Sequence, residues 1–243
     1  MSTGRVAGKV VLVTGAARGQ GAAEADALRA EGATVIATDI DAGGDVRAHD
    51  VSRAEDWAAI ADEIRAEHGR LDGLVNNAGI AQRSRLADVT LEDWNRVLAV
   101  NVTGAMLGIQ ACAPLMGEGG SIVNVGSLAA LTGHYTAAYT TSKWALRGLT
   151  RVASLELGGR GIRVNAIHPG YIDTELVAAA PPAFLQASID AAPLGRAGTP
   201  EDVASLVVFL VSGESSFISG ADIPIDGGTS GHGGAKAVRD ALG

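Results

Sequence analysis

Short runs of apolar, β-branched residues alternate with longer amphipathic segments along this 243-residue chain. Four of the apolar runs read VVLVTG, TVIATD, SIVNVGS and IRVNAIHPG, and at least one helical pattern separates each from the next. Parallel strands need such crossovers, because the chain must return to the same edge of the sheet before the next strand begins. The alternation therefore predicts an α/β fold, a doubly wound parallel sheet with helices on both faces.

We expect the whole chain, residues 1–243, to form one domain, because it shows no internal repeat and no low-complexity linker. The least regular segment, 176–198, predicts a loop with a short helix that covers the functional site. The predicted helices cover residues 19–31, 54–69, 91–116, 135–157 and 200–210.

Composition excludes some classes of partner. Apolar residues make up 47% of the chain and aromatic residues only 4%, so the core must consist of Ala, Val, Leu and Ile. The net charge of −8 and the isoelectric point near 5.1 argue against a nucleic-acid partner, which requires a basic surface.

The single cysteine, Cys112, is expected to be a small core residue. With no leader pattern and no apolar run of about 18–20 residues, we expect a cytoplasmic protein without a membrane partner.

The first predicted strand ends in TGAARGQG, residues 14–21, and a helix follows directly. Glycines let backbone amides approach a pyrophosphate, and the helix N-terminus adds a partial positive charge. Asp39 ends the second strand, 18 residues after Gly21, where a carboxylate can accept from a ribose 2′-hydroxyl. The pattern predicts a Rossmann-type dinucleotide site. The alternatives are an ordinary Gly-rich turn and a solvated Asp at a strand end.

Two further motifs are predicted at the same edge of the sheet. HDVS follows the next short strand and places Asp50 and Val51 at the edge of the adenine. NNAG ends the fourth strand, at the carboxyl edge where ligands bind in this architecture.

Tyr139 and Lys143 are four residues apart, so they lie on one face of a predicted helix. A neighbouring ammonium, or the positive ring of an oxidised nicotinamide, favours phenolate and lowers the pKa of a tyrosine. The chain has sixteen Arg and only three Lys, which makes a lysine at this position informative. Lysine suits a proton relay better than arginine, because its compact ammonium offers three donors. The alternative is an ordinary Tyr–Lys pair on an exposed helix.

Two polar residues are candidates to complete the site. Ser127 follows the strand IVNVG and can donate a hydrogen bond to a carbonyl oxygen. A nucleophilic role for it is less favoured, since NVGSLAA lacks the GxSxG elbow. Asn101 has apolar helical neighbours and is expected to point inward. Its amide either binds a local backbone carbonyl or holds a water in the path of the proton.

Taken together, TGxxxGxG, NNAG, a Ser after the fifth strand, YxxxK and PG after the sixth strand resemble the short-chain dehydrogenase/reductase family over residues 9–228. Within it, SKWALRGL and GIRVNAIHPG are most similar to bacterial hydroxysteroid dehydrogenases of the 3α/20β type. The resemblance implies that Tyr139 is the general acid/base, Lys143 binds the nicotinamide ribose and tunes Tyr139, Ser127 orients the substrate oxygen, and Asn101 anchors a relay water. It implies that Gly15, Arg18, Gln20, Asp39, Asp50, Val51 and Asn77 line the ADP half of the cofactor, and that Ile172 and Thr174 hold its carboxamide.

The sequence departs from the family pattern at two places. Gln20 stands where the family usually has Ile or Leu, which matters little if its backbone makes the contact. Ser127 precedes Tyr139 by 12 residues, where 13 is more usual in the family.

The sequence predicts an NAD-dependent oxidoreductase, without a metal, that interconverts a mainly apolar secondary alcohol and its ketone. Asp39 favours NAD, whereas Arg18 could pair with a 2′-phosphate and favour NADP. His134 and Tyr135, just before the predicted catalytic helix, either anchor the substrate or have a structural role. The resemblance implies a homotetramer built on the long fourth and fifth helical regions, with the tail 231–243 at a subunit contact. Alternatives are an NADPH-dependent 3-oxoacyl reductase, a dinucleotide-sensing regulatory protein and, last, a hydrolase.

Overall fold

The computed structural model describes residues 4–174 and 181–242, and within them seven parallel strands form one sheet. Their order is β3-β2-β1-β4-β5-β6-β7, so the direction of winding reverses between β1 and β4. Ligands of open α/β sheets bind at such a reversal, outside the carboxyl ends of the strands. The predicted fold class is confirmed. The strands are β1 Val10–Thr14, β2 Thr34–Asp39, β3 Val46–Ala48, β4 Gly73–Asn76, β5 Ser121–Val125, β6 Arg163–Pro169 and β7 Asp222–Ile225.

Helices cover both faces of the sheet, because successive residues of each central strand point to opposite sides. Val11 and Val13 of β1 belong to the core that contains Leu28 of the first helix. Val10 and Leu12 belong to the other core. The helices are α1 Gly19–Ala30, α2 Ala54–His68, α3 Leu91–Leu98, α4 Gly104–Cys112, α5 Ala137–Leu157, α6 Pro182–Ala191, α7 Pro200–Val211 and α8 Ala235–Ala241.

The region predicted as one helix over 91–116 is interrupted. A π-helical turn, Ala99–Thr103, separates α3 from α4, and a 3₁₀ turn follows at Ala113–Leu115. α4 packs closely on α2, since a Cβ at Gly108 would lie 2.6 Å from the Trp57 ring. By length and composition alone Leu91–Leu115 could cross a membrane, yet 44% of its most apolar window is buried inside the fold. Core packing therefore accounts for much of its apolar character.

In three other segments the structure refines the prediction or adds to it. α5 begins at Ala137 rather than at residue 135, because Thr136 is extended. The segment 176–198 contains α6, while its first residues, 176–180, lie outside the described residues. The tail, for which the sequence suggested no helix, forms α8.

Candidate active site

The loop after β1 is built so that an anion can approach its backbone. Gly15 has φ +68°, and a Cβ there would lie 2.8 Å from Cα of Ala78. A Cβ at Gly21 would lie 2.1 Å from the carbonyl oxygen of Gly15, so only glycine fits between loop and helix. The N-cap residue of α1, Arg18, makes no side-chain cap, and the first turn holds no acidic residue. The positive end of α1 is thus available to a phosphate, which fits the predicted dinucleotide.

Asn77 braces this loop against β4. Its Nδ2 donates to the carbonyl oxygens of Thr14, at 2.9 Å, and Gly15, at 3.0 Å. In return, Oγ1 of Thr14 accepts from the amides of Asn77 and Ala78 at 3.2 and 3.1 Å. These contacts fix the loop at the reversal point of the sheet.

Asp39 ends β2 with its carboxylate held by two backbone amides. Oδ2 accepts from the amide of Ala17 at 3.0 Å, and Oδ1 accepts from that of Asp41 at 3.1 Å. Arg18 pairs with Asp41 instead, at 2.9 Å and in an exposed position. Asp39 and Arg18, which favour different cofactors, are therefore not equivalent. The Asp39 carboxylate is bound to the backbone of the glycine loop, whereas the Arg18 side chain pairs with Asp41 at the surface.

The other residues predicted on the ADP half are placed around the same edge. Oδ1 of Asp50 accepts from the amide and hydroxyl of Ser52, and these bonds with Ser52 lower the pKa of Asp50. Val51 is buried, and its carbonyl accepts from Nε1 of Trp57 at 2.8 Å. Within the described part of the chain, Oε1 of Gln20 is buried without a hydrogen-bond partner.

Lys143 is a buried residue of α5, only 4% exposed. Its Nζ lies 5.7 Å from the ring centroid of Tyr139 and donates to the carbonyl oxygen of Val125, at the end of β5, at 2.7 Å. Burial lowers the pKa of Lys143 to about 8. The ammonium thus points toward the carboxyl edge of the sheet, which excludes the alternative of an exposed Tyr–Lys pair.

The pKa of Tyr139 differs in direction from the sequence prediction. Burial of the phenol raises its pKa, and hydrogen bonding with Ser127 opposes the rise without reversing it. The groups of the chain therefore keep Tyr139 protonated near neutral pH. An additional positive charge beside the phenol is needed to favour the phenolate, and the ring of an oxidised nicotinamide is such a charge.

Ser127 follows β5 and lies near enough to Tyr139 to affect its pKa. Its Oγ accepts from the amide of Ala129 at 3.1 Å and so begins the 3₁₀ turn Leu128–Ala130. Its own amide donates to Nδ1 of His168 at 3.3 Å. Sequence reasoning missed His168. The available signal was a histidine in the otherwise apolar end of a central strand, directly before PG.

Asn101 lies in the π-helical turn and is buried. Its Oδ1 accepts from the amide of Ile80 at 2.8 Å, and its Nδ2 donates to the carbonyl of Ile80 and to Oγ of Ser142, both at 3.0 Å. The amide thus bonds to a backbone carbonyl, although to one 21 residues away in sequence rather than a local one. A Cβ added at Gly79 would lie 3.4 Å from Oδ1 of Asn101 and 3.4 Å from Nζ of Lys143. The hydrogen bonds of Asn101 to Ile80 and Ser142 are therefore formed close to Lys143.

The residues predicted at the nicotinamide end lie after β6. Ile172 is buried and pairs with Gly198 through an isolated bridge. Thr174 approaches the glycine loop, since its Cγ2 lies 3.8 Å from the Cβ position of Gly19. The segment after β6 and the phosphate loop thus meet over the same edge of the sheet.

The residues just before α5 form an aromatic pair. The rings of His134 and Tyr135 stack at a centroid distance of 4.5 Å, and Nδ1 of His134 lies 2.8 Å from Oγ1 of Thr136. His134 thus has a structural contact before α5, and the Tyr135 ring is left half exposed.

Comparison with known proteins agrees with this geometry. A family model described as enoyl-(acyl carrier protein) reductase matches residues 15–230. The chain is 43% identical to a 3-alpha-(or 20-beta)-hydroxysteroid dehydrogenase of Mycobacterium tuberculosis, over 93% of this chain and 91% of that protein. It is 39% identical to a trans-4-hydroxycyclohexanecarboxylate dehydrogenase of Sinomonas cyclohexanicum, over 92% and 93% of the two chains. A crystal structure of a candidate gluconate dehydrogenase from Agrobacterium tumefaciens superposes with a TM-score of 0.87 at 31% identity, covering 93% of this chain and 97% of the other.

Proposed function

The chain belongs to the short-chain dehydrogenase/reductase family, and from that premise we propose that it is an NAD-dependent oxidoreductase that interconverts an apolar cyclic secondary alcohol and its ketone. The observation that carries the proposal is the buried Lys143 ammonium beside Tyr139, at the sheet edge where the glycine loop opens. A dinucleotide-sensing protein has no need of this buried charge, whose burial is costly.

Each of the residues at this edge of the sheet has its own role in the proposed reaction. When bound, NAD supplies the acceptor of the hydride and a positive charge on its ring. Ser127 donates a hydrogen bond to the substrate oxygen, where negative charge develops. Tyr139 accepts the alcohol proton during oxidation and returns it during reduction. Lys143 provides the neighbouring positive charge and the donors that carry the proton onward. The contacts of Asn101 hold the 79–80 loop against α5 at this place.

The preference for NAD is supported by the fixed position of Asp39. Its carboxylate can accept from a free 2′-hydroxyl and would repel a 2′-phosphate at the same place. Two unit charges about 4 Å apart at an effective dielectric near 20 repel by roughly 4 kcal/mol. Arg18 offers little compensation, since Asp41 already pairs with it. We expect NAD to exceed NADP by at least about tenfold in kcat/KM, which needs only about 1.4 kcal/mol.

The matched test compares Asp39→Ala with Asp45→Ala. Asp45 is an exposed carboxylate that pairs with Arg29, at the far end of α1 from the glycine loop. Asp39→Ala should reduce the ratio of kcat/KM for NAD to kcat/KM for NADP, chiefly by raising the value for NADP. Asp45→Ala should leave this ratio unchanged. A wild type that prefers NADP, or an unmoved ratio in Asp39→Ala, would show that Asp39 does not select the cofactor.

The substrate class is supported by the residues after β6 and by the relatives. The ring of Phe184, on α6, packs edge-on against that of Tyr171 at a centroid distance of 6.4 Å, so two aromatic rings lie together after β6. Pockets lined by aromatic and apolar residues favour apolar ligands with few polar anchors. Two relatives are named for alcohols on rings, a hydroxysteroid and a hydroxycyclohexanecarboxylate, the second of which also carries one carboxylate. Together these support a cyclic, mainly apolar alcohol.

The test is a screen of purified protein with NAD and NADP, read by the absorbance of the reduced cofactor. The panel holds cyclohexanols, hydroxysteroids, linear polyols, charged hydroxy acids and, in the reducing direction, a 3-oxoacyl thioester. We expect the uncharged cyclic alcohols to give the highest kcat/KM. Preference for the thioester with NADPH would establish the alternative reductase, and tight NADH binding without turnover would establish a sensor. A preference for highly charged substrates would refute the proposed substrate class.

We also propose a cytoplasmic homotetramer in which α5, within the predicted helical region 135–157, forms a subunit contact. α5 exposes Trp144, Val152 and Leu155, the last to 85%, on a long helix whose other side is buried. Exposed apolar residues grouped on one helix favour association between copies. Light scattering should give four times the mass of one chain, and Leu155→Glu should reduce it. A stable monomer at working concentration would reject this assembly.

A further inference from the structure

His168 connects the catalytic Ser127 to a charged cluster that the proposed mechanism does not use. It lies near the end of β6 with no exposed surface. Its Nδ1 lies 3.3 Å from the amide nitrogen of Ser127, and its Nε2 lies 2.8 Å from Oδ1 of Asp222. A backbone amide can only donate, so Nδ1 must be the acceptor and Nε2 must carry the proton. The surroundings therefore select one neutral tautomer of the imidazole.

Asp222 holds that tautomer from the other side. Its carboxylate lies 3.1 Å from Nε of Arg147 and 2.5 Å from an amino group of Arg151, both on α5. Burial alone would raise the pKa of Asp222, but the hydrogen bond from His168 and the ion pair with Arg147 outweigh it and lower the pKa. Asp222 is thus a carboxylate near neutral pH and accepts from the imidazole.

The imidazole also packs directly on the backbone that precedes Ser127. A Cβ at Gly126 would lie 2.3 Å from Nδ1 of His168, and the Gly126 amide donates to the carbonyl of Ile167 at 2.7 Å. The segment from Ser127 to Tyr139 is consequently held at both ends. At its start, the Ser127 amide donates to His168. At its end, Arg147 and Arg151, which pair with Asp222, belong to α5, the helix that carries Tyr139.

We propose that His168 is a positioning residue for the reaction, which fixes the Ser127 backbone so that its hydroxyl meets the substrate oxygen beside Tyr139. Asp222 and the two arginines of α5 keep the imidazole in the accepting tautomer. Burial lowers the pKa of His168, which Asp222 partly opposes, so the ring stays neutral near neutral pH. The inference rests on the proposed function in that Ser127 binds the reacting oxygen.

The test is a double-mutant cycle of His168→Ala and Ser127→Ala, measured as kcat for ketone reduction at saturating substrate. His168→Ala should lower kcat by about tenfold to a hundredfold, as expected for a displaced catalytic group. The same substitution in the Ser127→Ala background should change kcat less than about twofold, because the hydroxyl that it positions is gone. The Kd of NADH, from fluorescence titration, should stay within about twofold in all variants.

A conservative variant and a matched control separate positioning from general packing. His168→Asn places an amide oxygen at the position of Nδ1 and should restore most of kcat, although it loses the ring. Asn165→Ala serves as the control: Asn165 is equally buried in β6 and bonds to the carbonyl of Ile218 and the amide of Ala221, away from Ser127. We expect it to lower the melting temperature and to act multiplicatively with Ser127→Ala.

Three results would overturn the inference: equal effects of His168→Ala in both backgrounds, an unchanged kcat, or no recovery in His168→Asn. If His168→Ala does not fold, Asp222→Ala takes its place in the cycle with the same expectation. Failure of the proposed function is distinguishable, because the wild type itself would then turn over no secondary alcohol.

Discussion

Replacing Glu24 with Gln should change how the stability of the protein depends on pH. Glu24 lies on the buried face of α1 with Ala25 and Leu28, has no exposed surface, and belongs to a helix that packs against α7. Among the described residues, neither of its carboxyl oxygens has a hydrogen-bond partner. Burial raises the pKa of Glu24 from 4.5 to about 8, because a carboxylate without partners is poorly stabilised away from water.

The sign of the effect follows from where the proton is held. Between pH 4.5 and about 8 the folded protein keeps a proton on Glu24 that the unfolded chain has released. The free energy of unfolding therefore falls as pH rises through this window and levels off above it. At about 1.4 kcal/mol per pKa unit, the loss from about pH 5 to about pH 7.5 is about 3 kcal/mol. Glu24→Gln has no titrating group there and should lack this slope.

The assay is urea unfolding at several pH values across this window, at one protein concentration, because association of subunits also adds to stability. The control is Asp26→Asn on the same helix, since Asp26 is 77% exposed and pairs with Arg29. The difference in unfolding free energy between wild type and Glu24→Gln should change by about 3 kcal/mol across the window. For Asp26→Asn it should stay constant within about 0.5 kcal/mol. Parallel curves for wild type and Glu24→Gln would refute the reasoning.

Three further outcomes test the site. Tyr139→Phe should bind NADH normally yet lose about 10²–10⁴-fold in turnover, since only the proton-transferring hydroxyl is removed; near wild-type rates would end the mechanism. Lys143→Arg should be nearly inactive in the same assay, because a planar guanidinium cannot replace the buried Nζ that donates to Val125 at 2.7 Å. Gly21→Ala should raise the Kd of NADH at least about tenfold, since its Cβ would displace the loop, whereas Gly148→Ala, with open space at its Cβ position, should leave it unchanged.

Local patterns along the chain determined the fold and most of the candidate site as predicted from the sequence. The alternation of apolar runs and helical periods predicts the parallel sheet, and strand ends locate the glycine loop, Asp39 and Ser127 at one edge. The spacing of Tyr139 and Lys143 places them on one helical face. Each of these properties depends on residues near in sequence or on the shared direction of parallel strands, so periodicity was sufficient to find them.

Tertiary packing determined the burial, the pKa values and the hydrogen-bond partners of those residues. The burial that raises the pKa of Tyr139 and that of Glu24 comes from elements distant in sequence, and no local pattern encodes desolvation. The contact of Ser127 with His168 joins residues 41 positions apart, and the π-helical turn at Asn101 interrupts a segment whose composition predicts an unbroken helix. The sequence by itself therefore determined which groups meet at the sheet edge. Only the folded structure decided their charge states and what holds them there, because electrostatic free energies depend on the surrounding dielectric and on partners that the fold brings together.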